Sequence, residues 1–133
     1  MQLFTVEQAN RTLPLVRRIV EDIVATYGRW QDRVREFEVL AAGSRAGAAD
    51  PRADALQREA QALASEIAGF VGELEALGVE CKGYDIGLVD FPSEMDGRVV
   101  YLCWRLGEPA VEHWHERDSG FGARRPLRPA ALR

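Results

Sequence analysis

The chain is short of the residues that usually announce a function. It has two cysteines in 133 residues, Cys81 and Cys103, too few for a disulfide framework. They read as free, core-filling thiols in a reducing, cytosolic setting. No apolar run approaches the length of a membrane span. The opening MQLFTVEQAN lacks the basic and apolar regions of a secretory signal. There is no Walker pattern, CxxC, HExxH or glycine loop between a strand and a helix, which removes the common nucleotide, redox and metalloprotease motifs. Lysine is nearly missing, Lys82 being the only one among 17 basic residues. With so many alanines, this reads as the codon bias of a GC-rich genome and carries no functional weight. Positive charge is also in deficit. A net charge of −4 and a pI near 5.2 argue against nucleic acid as a partner of the whole domain.

What is present is ordinary globular material, 47% apolar and 29% charged, of a length that fits one domain with a single core. Thr5-Val6-Glu7-Gln8 has the form of a capping box, so a helix should start there. Pro14 lacks a donor and clashes with the preceding turn, which predicts either a break or a kink near Thr12. From Val16 the seam Val16, Val20, Ile23, Tyr27, Trp30, Val34, Phe37 and Ala41 is spaced alternately four and three apart. Such a seam asks for a partner helix along its length. After the small-residue linker AGSRAGAAD, Asp50 caps a second helix with Pro51 in its first turn. Its own seam is Leu56, Ala60, Leu63, Ile67, Phe70, Leu74 and Leu77, and Gly78 ends it with Val79 behind. The two form an antiparallel hairpin over residues 5–78, with a longer arm of roughly 40 Å.

The apolar faces broaden at the end of the hairpin away from the linker, where Leu15, Ile19 and Val24 meet Ala68 and Val71. A sheet should cover that end. Gly69 and Gly72 fall there too, and close backbone approach would explain them. After Gly78 the signals turn to strands at 79–82, 86–91 (stopped by Pro92), 99–106 and 111–116. Asp96-Gly97 makes a tight hairpin turn. The expectation is α+β: a long helical hairpin, coiled-coil-like, packed on a small antiparallel meander of three or four strands. The glycines in SGFGARRP suggest a tail over the sheet rather than another element.

His113 and His115, two apart in a strand, present both imidazoles on one face. A three-residue connection at Gly107–Pro109 would set Cys103 beside His113 and Tyr101 beside His115. Leu102, Trp104 and Trp114 would then share the core face. A two- or four-residue connection reverses this. The polar face then offers metal ligands His113, His115 and Cys103, with Asp118, Glu108 or Asp90 adding a carboxylate. The ion would be zinc, iron, nickel or manganese. Such a histidine pair more often covers a half-exposed face or bonds to backbone. Arg105, Arg124 and Arg125 match the geometry of a phosphate or carboxylate, although pairing with the chain's own acids is the commoner outcome. The tail after Arg117, with Arg124, Arg125, Arg128 and Arg133, is locally basic.

The runs GLVDFP (87–92), YLCWRLGEP (101–109), WHE (114–116) and GF…RRPL (120–127), behind FTVEQANRTLPLV, resemble the small bacterial proteins of domain-of-unknown-function family 2203. The resemblance implies a cytosolic bacterial protein and assigns no catalytic residue. Three readings of function follow. The first is a non-enzymatic interaction or assembly module, homodimeric through the distal hairpin, where Val34, Val39 and Leu40 lack cover. The second is a metal-binding protein or small metal-dependent enzyme using His113 and His115. The third is anion or nucleotide binding by the arginines.

Overall fold

The structure, a computed structural model, describes residues 1–45 and 47–127. Ala46 in the linker, and Arg128 and Arg133 of the basic tail, lie outside the described residues. Helix α1 (Val6–Gly43) opens on the expected capping box. The Gln8 amide donates to Thr5 Oγ1 at 3.1 Å, and the Thr5 amide donates to Gln8 Oε1 at 2.9 Å. Of the two alternatives at Pro14, the break does not occur: the 38 residues run as one element of about 57 Å. Proline there deprives the Asn10 carbonyl of its partner four residues on. Tertiary bonds reinforce the same turn: the Asn10 side chain accepts from the Val111 amide at 2.7 Å and donates to the Val111 carbonyl at 3.3 Å.

Helix α2 (Pro51–Ala76) starts as expected, with the Asp50 carboxylate accepting from the amides of Arg52 and Ala53. It closes through Gly78 at φ 86°, with Val79 bonded back to the Leu74 carbonyl. The helices pair antiparallel through the two seams. Ion pairs Arg33–Glu59 and Arg52–Glu36, at 3.1 and 2.9 Å, close one flank.

Five antiparallel strands follow in meander order: β1 (Glu80–Gly83), β2 (Leu88–Met95), β3 (Arg98–Arg105), β4 (His113–Glu116) and β5 (Arg125–Pro126). The fold is α+β, as expected, with two departures in the sheet. Strand β2 runs through Pro92. The pairing with β1 stops at Asp90, and the Pro92 carbonyl accepts from the Phe4 amide at 2.7 Å. The proline nitrogen therefore faces that outer edge, where no ladder donor is needed. The tail also does more than lie over the sheet. It forms a 3₁₀ turn at Phe121–Ala123 and then pairs with β4 as β5.

The β3–β4 register is that of the three-residue connection: Tyr101 faces His115, Leu102 faces Trp114, and Cys103 faces His113. One sheet face closes the broad end of the hairpin. Val89, Phe91, Leu102 and Trp104 join Leu13, Val16, Val20, Ile23 and Leu74 in one apolar cluster. Trp104 is fully buried and donates to the Glu108 carbonyl at 3.0 Å. Trp114 shares this face but stays half-buried at its margin, under the guanidinium groups of Arg98 and Arg125. The close approach expected at Gly69 and Gly72 is absent, since a Cβ at either would meet open space. It occurs at Gly87 instead, where a Cβ would stand 2.7 Å from Val20 and Leu106 side-chain atoms. With φ at +70°, that position suits glycine twice over.

Candidate functional site

The sheet face turned away from the helices carries the polar side chains, yet its centre is buried. Asp90, Cys103 and His113 lie in one row across β2, β3 and β4, and Pro92, Tyr101 and His115 form the next. His115 leans across β3 between Tyr101 and Cys103 to reach Asp90, its Nε2 lying 3.0 Å from Asp90 Oδ1. Asp90, Cys103 and His115 are 2%, 0% and 2% exposed, and their ligand-type atoms all fall within 4.8 Å of one another.

The hydrogen bonds fix the proton inventory. His115 Nδ1 lies 2.7 Å from the Glu116 carbonyl, which can only accept, so this nitrogen carries a hydrogen. A single proton then sits between Nε2 and the Asp90 carboxylate, and the pair is neutral overall whichever partner holds it. Burial pushes the Asp90 carboxyl upward, opposed by its bond to His115. Burial also pushes the Cys103 thiol up to about 12, with the Asp90 charge adding to the shift. The thiol is therefore protonated. These three residue types resemble a cysteine-nucleophile triad in name only, because both imidazole nitrogens are engaged and none is left to take the thiol proton.

A second group borders the first. Glu108 accepts from Arg124 Nη1 and Nη2 at 2.9 and 2.7 Å and from the Arg105 amide at 2.8 Å. Burial opposes ionisation of Glu108, but Arg124 and the Arg105 amide outweigh it and hold the carboxyl below its ordinary range. Arg124 packs over the Phe121 ring at 4.3 Å, and its guanidinium also bears on Cys103. At the far edge, Lys82 pairs with Glu80 at 3.0 Å and lies over the Tyr101 ring.

Of the residues singled out from sequence, the structure gathers His115 and Cys103, with Asp90 as the carboxylate. Glu108 is committed to Arg124. His113 stands apart, its Nδ1 buried without a hydrogen-bond partner among the described residues and 3.7 Å from Glu108. Asp118 is exposed in the turn after β4. The arginines do not converge: Arg105 is exposed, Arg124 is paired on the polar face, and Arg125 lies over Trp114 on the other. Cys81 pairs with Val89 and packs on the core face, so the two thiols point to opposite sides of the sheet. Two participants escaped the sequence reading, the Arg124–Phe121 stack and the Asp90–His115 bond. The second joins strands 25 residues apart, and the first depends on the local 3₁₀ turn at Phe121–Ala123.

A different surface lies along the hairpin. Tyr27, Trp30, Val34 and Phe37 of α1 and Ala60, Ala64 and Ala68 of α2 line a continuous apolar groove, which Tyr84 closes at the sheet end. Tyr27 and Trp30 stack at 5.6 Å.

Fold and site thus define a class of α+β protein in which a helical hairpin rests on one face of a five-stranded meander and a buried carboxylate–thiol–imidazole cluster occupies the other. The chain belongs to the family described as Uncharacterized conserved protein (DUF2203), whose model matches residues 2–127. Each of the four C-terminal segments that carry the resemblance supplies a member of the polar face: Asp90, Cys103, His115 and Arg124. No curated protein and no solved structure matches the chain. No helix among the described residues is long and apolar enough to cross a membrane.

Proposed function

We propose that this protein is a non-enzymatic assembly module that pairs with a second copy of itself through the hairpin groove. The observation that carries this reading is an asymmetry between the hairpin's two flanks. On α2, Glu59 stands one position before the seam residue Ala60 and pairs with Arg33, and Arg52, one turn before Leu56, pairs with Glu36. Residues one position after the seam are Gln57, Gln61, Ala64 and Ala68. One flank carries the cross-helix ion pairs, whereas along the groove the α2 side of the other carries no charged side chain from Gln57 to Ala68.

The occupant follows from the shape of the open flank. It carries both an aromatic ridge (Tyr27, Trp30, Phe37) and an alanine furrow (Ala60, Ala64, Ala68). A two-fold axis lays each ridge over the other copy's furrow, which is the self-complementarity an isologous interface requires. Small side chains let helices approach closely, and half-exposed aromatics gain most from being covered. The polar face favours a non-enzymatic reading as well, because its thiol is protonated and its histidine fully hydrogen-bonded.

Sedimentation velocity over a rising concentration series tests this. A dimer is expected for the native chain, and a monomer of unchanged helicity for Ala64→Arg, a position exposed in the single chain. A native chain that stays monomeric at high concentration overturns the reading.

A further inference from the structure

The Asp90–Cys103–His115 cluster is independent of the groove and is built like a ligand set. We propose that it is a binding site for a divalent transition metal of the zinc or ferrous class, held by the Asp90 carboxylate, the Cys103 sulfur and His115 Nε2.

Three observations converge. Three adjacent strands each deliver one donor, and all three donor atoms lie within 4.8 Å of one another. Tetrahedral coordination with bonds of about 2.0 to 2.3 Å sets donor atoms roughly 3.3 to 3.7 Å apart. The 3.0 Å between Nε2 and Asp90 Oδ1 therefore needs to open by only a few tenths of an ångström. The second observation is the imidazole's far side. His115 Nδ1 donates to a backbone carbonyl at 2.7 Å, the outer contact that orients a metal-binding histidine and leaves Nε2 as the ligand. The third is the mixed sulfur, nitrogen and oxygen donor set. It suits zinc or ferrous iron and does not suit magnesium or calcium, which take oxygen.

Charge balance agrees with the geometry. Without metal the cluster is neutral: one proton is on the thiol, one is shared between Nε2 and Asp90, and one is on Nδ1. With a divalent ion the ligands become thiolate, carboxylate and neutral imidazole, and the total is again zero. Binding is thus an exchange, one M²⁺ in and two protons out, which leaves the net charge of a buried site unchanged. The Arg124 guanidinium, fixed by Glu108, lies where it favours the thiolate form. Three protein ligands leave one tetrahedral position for a water molecule. His113, Glu108 and Asp118 have no part in this set.

The test is a cobalt(II) titration of the full chain, purified without an affinity tag and stripped with a chelator. One equivalent should produce tetrahedral visible bands and a near-ultraviolet thiolate-to-cobalt band, with about two protons released per ion in weakly buffered indicator. Zinc should displace the cobalt signal. Cys103→Ser should lose the thiolate band, Asp90→Asn should bind at least 10-fold more weakly, and Cys81→Ser should match the native chain. No thiolate band in the native chain overturns the proposal, whatever the variants do. So does a band that survives Cys103→Ser or disappears with Cys81→Ser. Dimerisation by sedimentation is read separately, so either proposal can fail while the other stands.

Discussion

From Ala9 to Thr26, α1 buries Leu13, Val16, Val20 and Ile23 completely or nearly so, whereas from Tyr27 to Gly43 it buries no side chain completely. Yet the seam spacing is the same in both halves. The first half is covered by α2 and by the sheet, while beyond the Tyr27–Tyr84 contact the second has only α2, and Tyr27, Trp30, Val34, Phe37 and Leu40 stay half-buried. Heptad spacing states which side chains face a partner. How deeply they are buried depends on how many partners there are: in the distal hairpin the two helices bury Leu56 of α2 but leave the α1 seam half open.

This contrast predicts very different sensitivities. Trp104→Ala, which removes the largest side chain covering the first half, should cost about 3–5 kcal/mol. In dilute solution Phe37→Ala should cost about 1 kcal/mol or less, because its ring is already half in water. Denaturant unfolding of both variants at low protein concentration checks this, and similar losses would erase the distinction.

A smaller effect is expected from Glu108, which holds the connection that keeps the sheet over α1. Glu108→Gln should cost about 1.5–3 kcal/mol through weakened bonds to Arg124 and the Arg105 amide. The loss should also depend on pH. The folded-state pKa of Glu108 lies below its unfolded value, so its stabilisation is complete above the unfolded value and drains away as pH falls through the folded one. The glutamine variant should therefore have a flatter acid limb in a plot of stability against pH, and a limb as steep as the native one would show that Glu108 does not set it.

The fold was largely legible, because its signals are local. The capping box at Thr5, the Asp50–Pro51 start, the Gly78 stop and the Asp96–Gly97 turn each act within a few residues. The register of β3 on β4 followed from connection length and from grouping Trp104 with Trp114 on the core face, although Trp114 ends half-buried at its margin. Pro14 and Pro92 misled for one reason: local sequence marks a missing donor and cannot say whether tertiary structure needs that donor. Asn10 reinforces the helix at the first, and the end of β1 exempts the second. The candidate site was legible only in part. Alternation placed Cys103 and His115 on one face, but the choice of Asp90 over Glu108 and Asp118 depends on how the connection and tail pack. Arg124 claims Glu108, and that leaves Asp90 to His115.

Hydrogen exchange of the α1 amides at two protein concentrations tests the central claim, that the distal half is completed by a second copy. If so, amides from Tyr27 to Leu40 gain protection as concentration rises, while those from Leu13 to Ile23 keep the same high protection throughout. Distal protection that is the same at both concentrations would contradict it.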